Sequence, residues 1–246
     1  MNETAKDSRV RAVPVGQGIH ADNGRWTFSG TEESFEEHIE RSVPGYREGH
    51  ELIARLSDWF LYNGATAVEI GCSTARLTRR LAEAHEGLDA RFLGIELDPG
   101  MARKAEERSK DDPRIDILCD DALRADLPRS DLITSYYTMQ FIHPSRRQEM
   151  FDRIYASLNW GGAFVMFEKV RGPDARFQDI LSTLYVDYKL EQGFSEAEIV
   201  AKTRSLKGVL EPFSTAANMD LLHRAGFSDV MVVWKSLCFE GFLAIR

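Results

Sequence analysis

Short apolar runs alternate with amphipathic stretches through most of the chain. The apolar runs have the length and composition of strands buried on both faces. They cover residues 66–71, 90–96, 115–119, 131–136 and 161–169. Between several of them, apolar residues recur at helical spacing, which predicts helices. These helices cover residues 74–85, 99–110 and 144–158. This β-α-β-α order indicates a parallel sheet with helices on both faces.

Helical segments also precede and interrupt this alternation. Residues 31–42 predict a helix with Thr31 as its N-cap and an acidic first turn. A second helix is predicted from about Tyr46 to Leu61. Two more helices fall within residues 171–212, where they resemble a cap or a dimerisation element.

The chain is predicted to fold as one large α/β domain. A helix at residues 215–227 and two C-terminal apolar stretches complete a mostly parallel, seven-stranded sheet. The last stretch either reverses at Glu240-Gly241 or forms one strand after a loop. The predicted parts are a flexible N-terminus (1–24) and a domain (25–246) that includes a helical lid (25–62) and a helical insertion (171–212).

Composition favours a small molecule as the binding partner. The 246 residues carry 31 Lys+Arg against 39 Asp+Glu, a net charge of −8, which argues against nucleic-acid binding. One basic cluster lies on an amphipathic helix and is better explained as a solvated face: Arg76, Arg79 and Arg80. No apolar run reaches the roughly 20 residues that span a bilayer, and no secretory signal is recognisable. We therefore expect a cytoplasmic protein without a membrane partner.

The three cysteines do not indicate a metal site. Cys72, Cys119 and Cys238 lie far apart, and no C-x-x-C motif or Cys/His cluster is present. Neither zinc nor a disulfide framework is therefore predicted.

The stretch ITSYYTMQF, residues 133–141, places two tyrosines where a buried strand should end. Adjacent residues on a strand point to opposite faces of the sheet. Ligands of open parallel sheets bind at the carboxyl ends of the strands. We therefore expect Tyr136 to face a ligand and Tyr137 to face the other way, unless the backbone leaves strand geometry there.

Three further strand ends carry residues suited to binding an adenosine. In VEIGCSTARL, Gly71 lets the chain turn closely before a helix N-terminus, although the G-x-G-x-x-G pattern is missing. Glu96 ends the second strand, where a carboxylate binds ribose hydroxyls or is merely a surface group. Asp121 follows the third strand and suits either an adenine amino group or a turn cap. Together with Glu69, these residues predict an S-adenosylmethionine (SAM) pocket in a Rossmann-like class I methyltransferase fold.

Several stretches occur in the order and spacing of one enzyme family. They include RSVPGY (41–46), GCS (71–73), TMQF (138–141), LNWGGAFVMFEK (158–169) and GFSEAEI (193–199). From Trp26 to Arg246 the chain resembles the carboxy-SAM synthases, a family of tRNA-modification enzymes. The resemblance implies a homodimer and aligns Arg204 with a carboxylate-binding arginine. The SAM contacts that it implies are Tyr46, Gly71, Cys72, Ser73, Glu96, Leu97, Asp121, Ala122 and the position of Tyr136.

The chain departs from that family where the reaction should occur. The family's asparagine and phenylalanine are replaced by Tyr136 and Tyr137, and its His-His pair by Tyr185-Val186. These changes surround the expected reaction chamber with aromatic side chains and weaken the expectation that prephenate is used.

A first hypothesis is that SAM is the only substrate and is cyclised. Its amine would attack its own γ-carbon, giving azetidine-2-carboxylate and methylthioadenosine. Tyr136, Tyr137 and Trp26 would surround the sulfonium through cation–π contacts, and Arg204 would hold a carboxylate.

Three other hypotheses stay open on the sequence. One is a small-molecule methyltransferase in which Tyr137, Tyr185 or a histidine such as His143 orients the acceptor. Another is a carboxy-SAM synthase that uses prephenate, and the last is a SAM-binding module without enzymatic activity.

Overall fold

The computed structural model describes residues 13–22, 24 and 27–246. Trp26, a predicted SAM contact, lies outside the described residues. Most of the described strands belong to one sheet. They are β3 (Thr66–Ile70), β4 (Arg91–Glu96), β5 (Ile115–Cys119), β6 (Ser130–Tyr136), β7 (Leu158–Lys169), β8 (Asp229–Ser236) and β9 (Phe239–Ile245).

The seven strands lie in the order β5-β4-β3-β6-β7-β9-β8. The pairs from β5 through to β7 are parallel, whereas β9 runs antiparallel to both β7 and β8. The order reverses direction between β3 and its two neighbours, β4 and β6, which is where sheets of this kind bind ligands. The predicted mostly parallel, seven-stranded sheet is therefore confirmed.

Eight helices accompany the sheet in the described part of the chain. They are α1 (Phe35–Ser42), α2 (Tyr46–Ser57), α3 (Arg76–Ala84), α4 (Pro99–Ser109), α5 (Pro144–Ser157), α6 (Ala175–Glu191), α7 (Glu196–Ser205) and α8 (Thr215–Ala225). None of them is long and apolar enough to cross a bilayer. The helical insertion of the sequence prediction corresponds to α6 and α7.

The core lies on the two faces of the sheet. Along β7, Val165 and Phe167 pack into one cluster with Tyr136, Tyr137 and the first helices. Phe164 and Met166 point the other way and pack against α5 and α8. Because both faces are covered, the central strands are apolar on both sides, as the apolar runs indicated.

Some element boundaries differ from their predictions. The first helix begins at Phe35 with Ser34 at the N-cap, because the Thr31 hydroxyl instead donates to the Phe28 carbonyl at 2.6 Å in a turn. At the C-terminus the chain turns at Leu237-Cys238, and Phe239–Ile245 is one strand. Of the two alternatives for this stretch, the single strand is right.

A small hairpin lies in a segment for which no element was predicted. It consists of β1 (Val13–Gly16) and β2 (Ile19–Ala21), paired antiparallel. Val15 and Ile19 pack against Ala201 of α7.

Candidate functional site

A cavity of about 1230 Å³ opens at the carboxyl ends of the parallel strands, beneath α1, α2, α6 and α7. All predicted site residues that the structure describes line this cavity, and their contacts with a ligand remain predictions. These residues are Tyr46, Glu69, Gly71, Cys72, Ser73, Glu96, Leu97, Asp121, Ala122, Tyr136, Tyr137, Tyr185 and Arg204.

The turn after β3 is held tightly against β4. The N–H groups of Gly71 and Cys72 both donate to the Ile95 carbonyl, at 2.8 and 3.0 Å. Gly71 has φ +72°, and a Cβ there would lie 2.3 Å from Thr138 Oγ1. Glycine is therefore required at this turn both for its backbone conformation and for space.

Glu96 and Asp121 provide the acceptors of the predicted adenosine end. Glu96 accepts the N–H groups of Ser73 and Asp98, at 2.8 and 2.9 Å, one on each carboxylate oxygen. Because each oxygen can accept a second bond, these contacts leave room for two ribose hydroxyls. Asp121 accepts the N–H of Leu123 at 2.9 Å, which is the turn-cap role that the sequence left open, and it still lines the cavity.

Glu69 and Cys72 have their side chains engaged with the protein. The Glu69 carboxyl accepts hydrogen bonds from the Thr78 hydroxyl and N–H, and burial raises its pKa to about 8. It therefore anchors the start of α3. The Cys72 thiol occupies the space left by Gly94, where a Cβ would lie 2.7 Å from Sγ. Burial raises the pKa of Cys72, so the thiol stays protonated.

The two tyrosines lie on the same side of the sheet, with ring centroids 4.6 Å apart. Strand geometry ends at Tyr136, and Tyr137 adopts a left-handed φ of +61° while its N–H donates to the Phe167 carbonyl at 2.8 Å. This departure from the strand turns the second ring into the cavity. The alternation of side chains between the two faces of the sheet would have turned Tyr137 away from the cavity. This alternation ends at Tyr136, so the prediction that Tyr137 faces the other way is wrong.

Tyr136 is the centre of an aromatic wall. Its hydroxyl donates to the Tyr46 carbonyl at 2.6 Å, and its ring lies 4.5 Å from His50 and 5.0 Å from Phe167, centroid to centroid. Only 7% of Tyr136 is exposed. We call the rings of Tyr46, His50, Tyr136 and Tyr137 the aromatic wall.

Every member of the aromatic wall is held in its neutral form. Burial raises the pKa of Tyr46, Tyr136 and Tyr137. Burial and, to a lesser degree, the charge of Arg76 lower the pKa of His50 to about 3. At pH 7 the wall therefore presents π faces and no ionised side chain of its own.

The sequence interpretation missed four lysines that line the same cavity. Lys207 is exposed, and the other three are here called the inner lysines: Lys169, Lys189 and Lys202. Lys169 Nζ and Lys189 Nζ lie 4.1 and 4.9 Å from the centre of the Tyr185 ring. Lys189 is 6% exposed and is the one buried residue of α6. Burial and the charge of Lys169 lower the pKa of Lys189 to about 8. The available signal was the i, i+4 spacing of Tyr185 and Lys189 on α6.

Tyr185 and Arg204 complete the cavity from the helical insertion. The Tyr185 hydroxyl donates to the Ser42 carbonyl at 2.8 Å, so its ring, and not its hydroxyl, faces the inner lysines. Arg204 is exposed at the cavity rim. A surface salt bridge would explain Arg204 without any ligand. Among the described residues, however, no carboxylate pairs with Arg204.

Comparison with known proteins identifies the scaffold. Residues 67–162 match the family model described as a methyltransferase domain. The carboxy-S-adenosyl-L-methionine synthase of Staphylococcus epidermidis is 32% identical over 224 residues, which cover 90% of this chain and 97% of that one. The enzyme of that name from Campylobacter jejuni is 36% identical over 214 residues, covering 86% and 90%. The chain belongs to the carboxy-S-adenosyl-L-methionine synthase family.

Solved structures agree on the fold of this family member. Human N-acetylserotonin methyltransferase in complex with SAM superposes with a TM-score of 0.61 at 17% identity, covering 88% of this chain and 56% of that one. At this identity the likeness concerns the fold alone. It confirms the Rossmann-like class I methyltransferase fold and, with the family, a SAM-utilising enzyme.

Proposed function

We propose that this family member uses SAM as its substrate and not only as a methyl donor. The observation that carries the proposal is the aromatic wall, in which Tyr136 and Tyr137 stand beside the Gly71 turn. Thr138, which follows them, contacts Gly71 directly. A sulfonium bound at this turn would lie against neutral aromatic faces, which attract a cation by roughly 0.5–2 kcal/mol.

The finer reaction that we propose is cyclisation of SAM. The lone pair of the SAM amine forms a bond to the γ-carbon, the bond from that carbon to sulfur breaks, and its electron pair stays on sulfur. The SAM ammonium group releases a proton to water before this attack, which frees the lone pair. Methylthioadenosine leaves, and the ring nitrogen of azetidine-2-carboxylate remains a secondary ammonium. The wall suits this reaction because its phenols are protonated and its hydroxyl at Tyr136 is already bonded to a backbone carbonyl. No wall residue therefore competes with the amine as an anionic nucleophile.

A second candidate is the reaction named by the relatives, formation of carboxy-SAM. It is favoured by the extent of the match, which reaches 97% of the Staphylococcus epidermidis enzyme. The tyrosines at the end of β6 argue for cyclisation instead. Methyl transfer to a separate small acceptor is a third candidate. Arg204 at the rim, which has no carboxylate partner among the described residues, suits an acceptor that carries a carboxylate.

One incubation separates these reactions. Purified protein is mixed with SAM alone, and the products are identified by mass spectrometry. Cyclisation yields methylthioadenosine and a four-membered amino acid in equal amounts. Formation of carboxy-SAM only when prephenate is added would replace our proposal by the second candidate. SAM that stays unchanged in both mixtures would leave a methyltransferase or a binding protein.

Substitution of one wall residue tests the role of the π face. Tyr136→Phe keeps the ring and is expected to keep most activity. Tyr136→Leu removes the π face and is expected to lose roughly 2- to 30-fold in kcat/KM, which corresponds to about 0.5–2 kcal/mol. Tyr155→Leu is the control, because this tyrosine packs on Phe227 outside the cavity. Normal turnover by Tyr136→Leu would refute the cation–π role.

We also infer that the protein is a homodimer that associates through α6. This helix exposes Phe177, Ile180 and Leu184, with exposed fractions of 53%, 48% and 45%. Their i, i+3 and i, i+4 spacing places them on one stripe. Size-exclusion chromatography of Ile180→Glu is expected to show a monomer. Cytoplasmic location remains a prediction.

A further inference from the structure

We propose that Lys169 and Lys189, with Lys202 beside them, form a carboxylate-binding subsite in the inner part of the cavity. The two ammonium groups come from different elements, the end of β7 and the last turn of α6. They converge on one ring, at 4.1 and 4.9 Å from the centre of Tyr185. The subsite therefore exists only in the folded chain.

Neither ammonium group has an anionic partner within the described residues. Lysines elsewhere in the chain do have one: Lys104 Nζ lies 2.6 Å from Glu33 and Lys235 Nζ lies 2.7 Å from Glu240. The charged groups that act on Lys169 and Lys189 are other cations, and the acidic group that acts on both is the thiol of Cys238. Lys169 and Lys189 thus bring two positive charges together without a carboxylate partner among the described residues.

Such an arrangement is costly without a ligand. A buried ammonium group loses its hydration, and two of them close together also repel each other. A carboxylate placed between them would relieve both effects and would be held by charge-assisted hydrogen bonds. Lys189 lies in the last turn of α6, and the first turn of α7 is closed by the capping box of Ser195 and Glu198. No helix N-terminus of α6 or α7 therefore adds the backbone N–H groups that phosphate sites use.

The carboxylate has two conceivable sources, and this part of the inference rests on the proposed SAM site. SAM itself carries one carboxylate, which would reach the inner lysines if the methionine tail folded inward. The other source is a second carboxylate compound that binds next to SAM. The cavity of about 1230 Å³ exceeds the roughly 300–1,000 Å³ of a typical single-ligand pocket, so it has room for two molecules.

Calorimetric titrations distinguish the sources. The probes are S-adenosylhomocysteine, methylthioadenosine (which lacks the amino-acid tail) and malonate added to protein saturated with S-adenosylhomocysteine. The proteins are the wild type, Lys169→Met, Lys189→Met and the control Lys104→Met, whose lysine lies on α4 outside the cavity. Thermal unfolding shows whether each variant is folded. If Lys189→Met does not fold, Lys189→Gln is used in its place.

If SAM supplies the carboxylate, S-adenosylhomocysteine loses at least tenfold in affinity in the inner-lysine variants, while methylthioadenosine binds unchanged. If a second compound supplies it, malonate binds the saturated wild type and binds the variants at least tenfold more weakly. Equal affinities of all probes for the wild type and the inner-lysine variants would overturn the subsite. If the wild type did not bind methylthioadenosine at all, the SAM site itself would be contradicted. The failure of the subsite and the failure of the SAM site are therefore separable.

Discussion

Replacing Gly49 by alanine tests how tightly the aromatic wall is built. Gly49 lies in α2, and a Cβ added there would be 2.1 Å from the Tyr136 hydroxyl oxygen and 3.0 Å from Cζ. The three nearest atoms to this Cβ all belong to Tyr136. The glycine therefore provides the space that lets the tyrosine reach the Tyr46 carbonyl across the helix.

Two opposing effects set the magnitude. Overpacking of a dense core costs about 1–3 kcal/mol. Alanine in place of glycine inside a helix gains about 0.8–1.0 kcal/mol. Gly49→Ala is thus expected to lower the free energy of unfolding by up to about 2 kcal/mol. In a protein of this size each kcal/mol corresponds to roughly 2–4 °C in Tm.

The sign of the effect should depend on Tyr136. In a Tyr136→Ala background the clashing atoms are gone, so Gly49→Ala is expected to stabilise the protein by up to about 1 kcal/mol. The coupling free energy between the two positions is then about 1–3 kcal/mol. Urea unfolding, followed by circular dichroism, measures all four proteins of this double-mutant cycle.

Gly87→Ala serves as the control, because a Cβ at Gly87 would have no atom within 4 Å. It should have the same small effect in both backgrounds. If Gly49→Ala also changed the free energy of unfolding equally with and without the Tyr136 ring, the assignment of Gly49 as the space for Tyr136 would be wrong.

Three further predictions concern the ligand site and the inner lysines. Glu96→Gln replaces an acceptor oxygen by a donor, and calorimetry should show SAM affinity falling about tenfold or more, with surface Glu107→Gln unchanged. Gly71→Ala should lower Tm, because the turn requires φ +72° and the space is occupied by Thr138. Lys189→Met should stabilise the protein at pH 7 by up to roughly 3 kcal/mol, since burial lowers this lysine's pKa from 10.5 to about 8. Between about pH 8 and pH 10.5 the unfolded chain binds more protons than the folded chain, so the stability of the wild type rises with pH. The difference in unfolding free energy between the variant and the wild type, measured by urea unfolding, therefore becomes smaller over this range. An unchanged difference across this window would contradict a buried, charged lysine. The titratable groups near Lys189 are Lys169, Lys202, His38, Tyr185 and Cys238.

The strand ends were accessible from the sequence because their signals are local. An apolar run followed by Gly71, Glu96 or Asp121 specifies both a buried strand and a polar residue at its carboxyl end. Since parallel strands end at one edge of a sheet, these residues were expected together, and they line one cavity. Helix starts were less certain, because several residues can occupy the N-cap position. Ser34 occupies it where Thr31 was expected, without a side-chain capping bond.

The position of the second tyrosine depended on the end of the strand. Alternation predicts opposite faces for Tyr136 and Tyr137 as long as both residues are extended. Two hydrogen bonds hold Tyr137 at its left-handed φ of +61°. The Tyr137 N–H donates to the Phe167 carbonyl of the neighbouring strand, and Gln140 Nε2 donates to the Tyr137 carbonyl. Phe167 lies far from Tyr137 along the chain, so the local sequence does not show that contact.

The sequence by itself determined the sheet, its ligand-binding edge and the family, because apolar periodicity and turn residues act over a few positions. The tertiary structure decided what fills the inner cavity. Lys169, Lys189 and Lys202 come from three elements, and each looks like an ordinary surface lysine in its own segment. Their burial and mutual proximity arise only when α6 and α7 fold over the end of β7, since charge and desolvation depend on distance in space and not on position along the chain.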